Sequence, residues 1–367
     1  MTSLSHLILL SVFRNKRMKT EIVKINQLDN QADKALLRAA SVIKGGGLVV
    51  FPTETVYGLG ADATNADAAM KIYAAKGRPS DNPLIIHIAS AEDAEEYTVT
   101  NDLYYKLAER FMPGPLTVVL PAKETVPLET RGGLSTVAVR CPQNIIARKL
   151  ISLSGVPICA PSANLSGSPS PTKASHVIDD MTDRVDMIID GGDSDFGLES
   201  TIVKTDDDGG LTLLRPGKIT VDDLRSIVDN VRVADAVVSE LKSNEKALSP
   251  GMKYRHYAPK SPLYLLDGSA QDCVDFLVEQ TKNKSIALIW YNEEIDFIKS
   301  KLTECFVYSF GAKEDELTQA HSLFNILRDA DKRCFDEIYA PLPSCDGLGL
   351  ALYNRMIRAA AHHIIRM

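Results

Sequence analysis

Between residues 32 and 44 apolar positions recur every three to four residues, and Gly45, Gly46 and Gly47 end that pattern before four β-favouring residues at 48–51. The spacing predicts a helix stopped by glycine and followed by a strand. The same grammar returns at 65–76, with Asn65 or Asp67 as N-cap and Gly77 just past the end, leading into a buried strand at 84–86. Apolar runs predict further strands at 116–120, 136–139, 156–159, 187–189, 201–204 and 211–214, with helices between several of them. This rhythm describes one mixed α/β domain ending near Val233.

From Val233 to about Ser261 the rhythm is lost, and Ser249, Pro250, Gly251 and Pro259 suit an interdomain connection. That linker is not bland, because it carries Lys253, Tyr254, Arg255, His256 and Tyr257. A cleaner alternation follows, with strands at 263–266, 286–290, 306–310 and 337–340 and helices at 271–281, 293–302, 314–330 and 349–363. Strands alternating with helices imply βαβ units, hence a smaller Rossmann-like second domain, 262–367, with a parallel sheet. No solenoid repeat and no low-complexity tract interrupts the chain.

Composition narrows the function classes. A chain of 367 residues, 45% hydrophobic and 24% charged, suits two globular domains rather than a membrane protein. A net charge of −7 argues against a surface that grips nucleic acid through its phosphates, so no stable nucleic-acid binding is expected, although a local basic cleft is compatible with it. The six cysteines are scattered, with no CxxC spacing and no nearby histidine pair, which predicts no metal site and free thiols in a reducing cytoplasm. The apolar stretch 4–13 is shorter than the roughly 20 residues of a membrane span. Its basic residues Arg14, Lys16 and Arg17 follow it, whereas a secretory signal places them first, so 1–17 reads as an extension of a cytoplasmic protein.

Candidate chemistry gathers at strand ends. Pro52 to Gly60 sets hydroxyls and a carboxylate directly after a buried strand, where α/β domains commonly bind ligands; capping threonines in a turn explain the same residues equally well. Lys76 and Arg78 sit at a helix C-terminus in a loop stiffened by Pro79 and Pro83. The helix dipole favours cations there in any protein, yet the pair also suits a polyphosphate. Residues 159–164, 197–201 and 214–217 are three more small-residue clusters at strand edges, each by itself more often a turn than a site. A P-loop is excluded by the lack of GxxxxGK[ST], and a serine hydrolase by the lack of a GxSxG elbow. His87 reads by default as a satisfied core or rim histidine, and Gly347 to Leu350 as a helix start.

Taken in order, these segments resemble the YrdC-domain threonylcarbamoyl-AMP synthases in their longer two-domain form. The resemblance rests on PTETVYGLG at 52–60, KGRPSDNPL at 76–84, PGPLT at 113–117, VAVRCP at 137–142, APSANLSG at 160–167, ESTIV at 199–203, LRPG at 214–217 and SPGMKYRHYAP at 249–259. It implies a YrdC-like twisted mixed α/β domain at 18–233, a linker at 234–261 crossing its mouth, and the Rossmann-like domain behind. It also implies a nucleotidyltransferase that makes threonylcarbamoyl-AMP and pyrophosphate from L-threonine, bicarbonate and ATP, with Mg2+ carried on the triphosphate and no dedicated metal site.

By the same resemblance Lys76, Arg78, Ser162 and Asn164 form the catalytic set. Thr55, His87, Arg140, Ala160 and Ser200 would hold threonine, and Arg78, Asn82, Thr136, Ser162, Ser170, Arg215 and Tyr257 would hold ATP. Tyr257 would close over the nucleotide, so that Tyr257→Ala weakens ATP use more than it destabilises the fold. The product would pass to a downstream tRNA threonylcarbamoyl-transferase, and the chain is expected to be a monomer. Two rivals are a carbamoyl-adenylate-dependent carbamoyltransferase, whose hydrogenase-maturing members carry zinc-finger cysteine pairs absent here, and a double-stranded RNA-binding protein, disfavoured by the acidic balance.

Overall fold

A computed structural model describes residues 19–239 and 256–367. The extension 1–17 and most of the linker, including Lys253, Tyr254 and Arg255, lie outside the described residues. In chain order the strands of the first sheet are β1 (Glu21–Lys24), β2 (Val49–Phe51), β3 (Gly58–Asp62), β4 (Ile85–His87), β5 (Leu116–Pro121) and β6 (Thr136–Arg140). They continue with β7 (Ile158–Cys159), β8 (Met187–Asp190), β9 (Thr201–Thr205), β10 (Leu211–Arg215) and β11 (Val231–Val233). Their spatial order is β1-β8-β2-β3-β7-β4-β6-β5-β9-β10-β11, with parallel and antiparallel neighbours mixed.

Local chemistry explains the helices that were expected. The helix Ala66–Lys76 starts where the Asn65 side chain accepts the Ala68 amide at 3.1 Å, a cap worth about 1 kcal/mol. It stops at Gly77, whose φ of 63° is left-handed. Strand β3 was not anticipated, because GLGAD lacks the branched and aromatic residues of a typical strand. Its small residues serve close packing instead: a Cβ on Gly60 would lie 2.7 Å from both the Phe51 ring and Ile158.

The second sheet comprises β12 (Leu263–Asp267), β13 (Ile286–Trp290), β14 (Phe306–Ser309), β15 (Glu337–Pro341) and β16 (Ile364–Arg366), in the order β14-β13-β15-β12-β16. Every pairing in it is parallel, as expected. The chain moves one way across this sheet from β12 to β14 and then back, and right-handed crossovers therefore put the connecting helices on opposite faces. Cys273, Leu277 and Ile298 accordingly pack with Leu288 and Trp290 on one face, while Leu323, Phe324 and Met356 pack with Leu265 and Ile289 on the other.

The helix expected over 349–363 requires correction. It ends at Ala359, Ala361 and His362 turn left-handed, and residues 364–366 form edge strand β16 against β12. Pairing with a distant strand overrides the helical pattern there. The helix expected over 293–302 likewise divides into a 3-10 turn, Asn292–Glu294, and a helix, Ile295–Lys301.

The two sheets share an apolar seam. Val56, Phe196 and Leu198 of the first domain are buried in the second domain's core, and Leu350 of the second is buried in the first.

Candidate active site

Strand register builds the site from the centre of the first sheet. Parallel pairing of β4 and β6 sets His87 directly beside Arg140, with both at the carboxyl ends of their strands. On the other side of β4, antiparallel β7 delivers Ala160, whose amide donates to the Ile85 carbonyl at 2.8 Å. The loop after β2 is tied down next to it: Ala163 N–H donates to Tyr57 at 2.8 Å, and Tyr57 N–H donates to Pro171 at 2.9 Å. Glu199 and Ser200 enter just before β9, and Arg215 at the end of β10.

These ends enclose one pocket. It is lined by Thr53, Thr55, Val56, Tyr57 and Gly58; by Arg78, Ile85, His87 and Arg140; by Ala160, Pro161 and Ser162; and by Glu199, Ser200, Arg215, His256 and Tyr257. The predicted threonine residues Thr55, His87, Arg140, Ala160 and Ser200 all line it, as do Arg78, Ser162, Arg215 and Tyr257.

The other predicted residues stand behind the wall. Lys76 is buried, and its Nζ donates to the carbonyls of Ser162 and Asn164, so it shapes the 162–164 turn from behind. Burial, reinforced by Arg78, holds its ammonium pKa well below the ordinary lysine range. Asn164 braces the same turn, accepting the Ser162 hydroxyl at 2.5 Å and donating to Leu165 and Ser168 at 2.8 Å. Ser170 donates to Glu199. Asn82 is buried near the Arg78 guanidinium, and its Oδ1 has no hydrogen-bond partner among the described residues. Thr136 opens β6 at the end opposite Arg140 and is half-buried outside the lining.

Charge compensation is uneven across the pocket. Arg140 Nη2 lies 2.7 Å from Glu54 Oε1, a close ion pair not aligned as a hydrogen bond. Burial alone would raise the Glu54 carboxyl, but Arg140 outweighs it and holds it below the usual range. Among the described residues Arg78 donates to the carbonyls of Asn82 and Pro83, at 3.3 and 3.1 Å. Arg215 donates to the Ser200 carbonyl and hydroxyl, at 3.1 and 3.2 Å. Neither forms an ion pair among the described residues, and burial lowers both guanidinium pKa values to about 10. Two buried cations whose hydrogen-bond partners among the described residues are neutral create a site that an anion completes.

The His87 imidazole has Nδ1 at 3.2 Å from Ile85 O and 3.3 Å from Ile158 O, so the proton belongs on Nδ1 and Nε2 is the acceptor. Burial first, then Arg140, pushes its pKa down to about 3, which keeps the ring neutral near pH 7.

Tyr257 is more than a flap over the pocket. Its φ is 63°, its ring stacks on Phe324 at 5.3 Å, and it belongs to the second domain's core. Truncation to alanine would empty a core position at a cost of about 3–5 kcal/mol, which weights the expected balance toward stability.

Residue-by-residue reading of the chain noted the Glu54 carboxylate without its partner Arg140, and missed Glu199 and Arg355 as members of this arrangement. Glu54 and Glu199 lay inside quoted motifs, and an acidic residue within an apolar, small-residue run was the available signal. Arg355 gave its signal as a charged residue in a helix of ten buried positions.

Comparison with known proteins gives the family. A family profile described as "Telomere recombination" matches residues 41–217, and one described as "Threonylcarbamoyl-AMP synthase, C-terminal domain" matches 219–361. The threonylcarbamoyl-AMP synthase of Bacillus subtilis is 42% identical over 337 residues, covering 91% of this chain and 95% of its own. That of Pyrococcus abyssi is 44% identical over 337 residues, covering 90% and 95%. The crystal structure of P. abyssi Sua5 complexed with L-threonine superposes with a TM-score of 0.86 at 40% identity, over 95% of this chain and 100% of that one. With both domains matched in order, in sequence and in fold, this chain belongs to the threonylcarbamoyl-AMP synthase family in its two-domain form.

Proposed function

We propose that this protein is an L-threonylcarbamoyladenylate synthase, converting L-threonine, bicarbonate and ATP into threonylcarbamoyl-AMP and pyrophosphate for threonylcarbamoyladenosine modification of tRNA. The observation that carries the reading is the pair of buried guanidiniums that form no ion pair among the described residues, Arg78 and Arg215, opening onto the same pocket as Arg140 and His87. Such a pocket selects an anionic nucleotide beside a small zwitterion.

In this scheme the threonine carboxylate meets Arg140, whose fork suits a bidentate pair, and Thr55 and Ser200 hydrogen-bond the polar groups. Those hydroxyl contacts supply discrimination against valine that apolar contact alone would not. His87 offers Nε2 as an acceptor to the substrate. Bicarbonate gives up hydroxide to become carbon dioxide, the threonine amine nitrogen forms a bond to its carbon, and the proton that the nitrogen loses leaves with the hydroxide as water, giving an N-carboxylate. A carboxylate oxygen then attacks the α-phosphorus, and the bond to the β-phosphate oxygen breaks with its electron pair leaving on pyrophosphate.

Arg78, Arg215 and the Lys76-braced turn at 162–164 stabilise negative charge on the phosphates and hold the reactants in line, so no covalent enzyme intermediate is required. Glu199 is committed to Arg355 and Ser170, and the divalent cation enters as part of the substrate, the Mg2+ complex of ATP. Among the described residues no helix is long and apolar enough to cross a membrane.

The direct test is pyrophosphate release from ATP with bicarbonate, comparing threonine, serine, valine and no amino acid. Dependence on both threonine and bicarbonate is the expected result. Release indifferent to threonine, or a trapped enzyme acyl or phosphoryl adduct, overturns the scheme.

A further inference from the structure

The second domain reaches the back of the pocket with a buried arginine. Arg355, on the helix Gly349–Ala359, is fully buried. Its Nε donates to Glu199 Oε2 at 2.9 Å, its Nη1 to the Pro216 carbonyl at 2.8 Å and to Asn354 Oδ1 at 3.0 Å, and its Nη2 to the Glu199 carbonyl at 3.3 Å. The other Glu199 oxygen accepts the Ser170 hydroxyl. Burial alone would raise the Glu199 carboxyl, but Arg355 and Arg215 outweigh it and keep it ionised.

One guanidinium therefore fastens two chain segments of the first domain. The residues next to the fastened positions are Ser200 and Arg215, which face the pocket and bond to each other through the Arg215 guanidinium. Gly217 lets the segments approach: a Cβ there would lie 2.5 Å from Thr201 N and 2.8 Å from Glu199 O. The same guanidinium lies 5.7 Å from the centre of the Tyr257 ring, a third part of the wall. Flanking side chains secure the helix, with Asn354 Nδ2 donating to Val237 O and Arg358 Nη2 to Ala236 O, both at 2.6 Å.

We infer that Arg355 is a positioning residue for the first domain's pocket, supplied by the second domain, which sets the Glu199–Ser200 wall and the Arg215–Pro216 wall at their working separation. The requirement is for arginine in particular. Four acceptors in different directions are met by a planar fork with five N–H donors, whereas a lysine ammonium has three donors on one atom. A buried ion pair that served only to hold the domains together would be replaceable by other packing without altering substrate use.

This inference rests on the proposed synthase reading for its kinetic arm, and a second arm is independent of it. The full chain is compared with Arg355→Lys, Arg355→Met and, as a stability control, Leu277→Ala, which lies in the core on the far face of the second sheet. Below the lowest melting temperature, Arg355→Lys is expected to lose at least tenfold in kcat/KM for both threonine and ATP, and Arg355→Met more. Leu277→Ala lowers the melting temperature yet stays within twofold of wild type.

Hydrogen exchange reads positioning without substrate: amides at 199–202 and 213–215 should exchange faster in Arg355→Lys and unchanged in Leu277→Ala. Wild type lacking threonine-dependent release would sink the synthase reading alone. Unchanged exchange at those amides, or activity lost only in proportion to melting temperature in both Arg355→Lys and Leu277→Ala, overturns the positioning role.

Discussion

Two of the molecule's crevices lie over the carboxyl ends of its two sheets, and the larger one has the less suitable chemistry. The crevice over the second sheet encloses about 440 Å3, against about 50 Å3 for the pocket in the first domain. It lies where the loops after β12, β13, β14 and β15 diverge, the position at which open α/β sheets commonly bind nucleotides. Its lining carries Asp267, Glu294, Glu314 and Glu316 against one lysine, Lys313, which is itself 3.6 Å from Glu294. Four carboxylates repel a polyphosphate. The first pocket is lined by three arginines and one carboxylate, Glu199, and that carboxylate is occupied by Arg355. Topology supplies a concave place, and charge decides what enters it.

The largest effect expected from breaking this contrast is at Arg140. Arg140→Met leaves Glu54 buried and unpaired, and should abolish threonine-dependent turnover while costing about 3–5 kcal/mol in urea unfolding. Adding Glu54→Gln should recover part of the stability and none of the activity; full stability in the single variant would mean that the pair is not buried as described.

Next comes Lys76→Met, which removes two hydrogen bonds to the 162–164 turn. A loss of about 1.5–3 kcal/mol in transition-state stabilisation, roughly ten- to a hundredfold in kcat/KM, is expected from steady-state kinetics.

A third effect, small near neutral pH, concerns acid. The folded pKa of His87, about 3, lies below its ordinary value of 6.5, so the unfolded chain takes up a proton that the native state refuses. Its contribution is fully present above pH 6.5 and is lost as pH falls toward 3, by at most about 1.4 kcal/mol per pH unit. The acid limb of the stability profile should be shallower in His87→Asn, and parallel profiles would contradict a neutral buried ring.

The smallest effect is expected in the other crevice. Glu314→Ala should leave kcat/KM within twofold, and calorimetry with a non-hydrolysable ATP analogue should give one nucleotide per chain. A second binding event abolished by changes in the crevice would erase the contrast between the two regions.

Much of this architecture was legible along the chain. The parallel alternation after residue 262 follows from period and turn residues, and the helix Ala66–Lys76 appeared with both its caps. Among the strands that escaped notice, β3 and β16 lack the expected pattern for different reasons. Strand β3 uses small residues to approach Phe51, and β16 exists because β12 offers it an edge. Nine of the proposed site residues line the pocket, and their motif order along the chain was the signal that linked them. Lys76, Asn164 and Ser170 carry the same polar chemistry but act from behind, a distinction that spacing does not encode.

By itself the sequence determined the α/β class, the two-part organisation and the family, because these depend on local periodicity and on ordered motifs. Tertiary structure alone decided which charges are matched: Glu54 against Arg140, Glu199 against Arg355, and Arg78 and Arg215 hydrogen-bonded to neutral groups among the described residues. The physical reason is that helix and strand preferences are set within a few residues, whereas the compensation of a buried charge depends on groups far away in the chain. Arg355 and Glu199 are separated by 156 positions and meet at 2.9 Å.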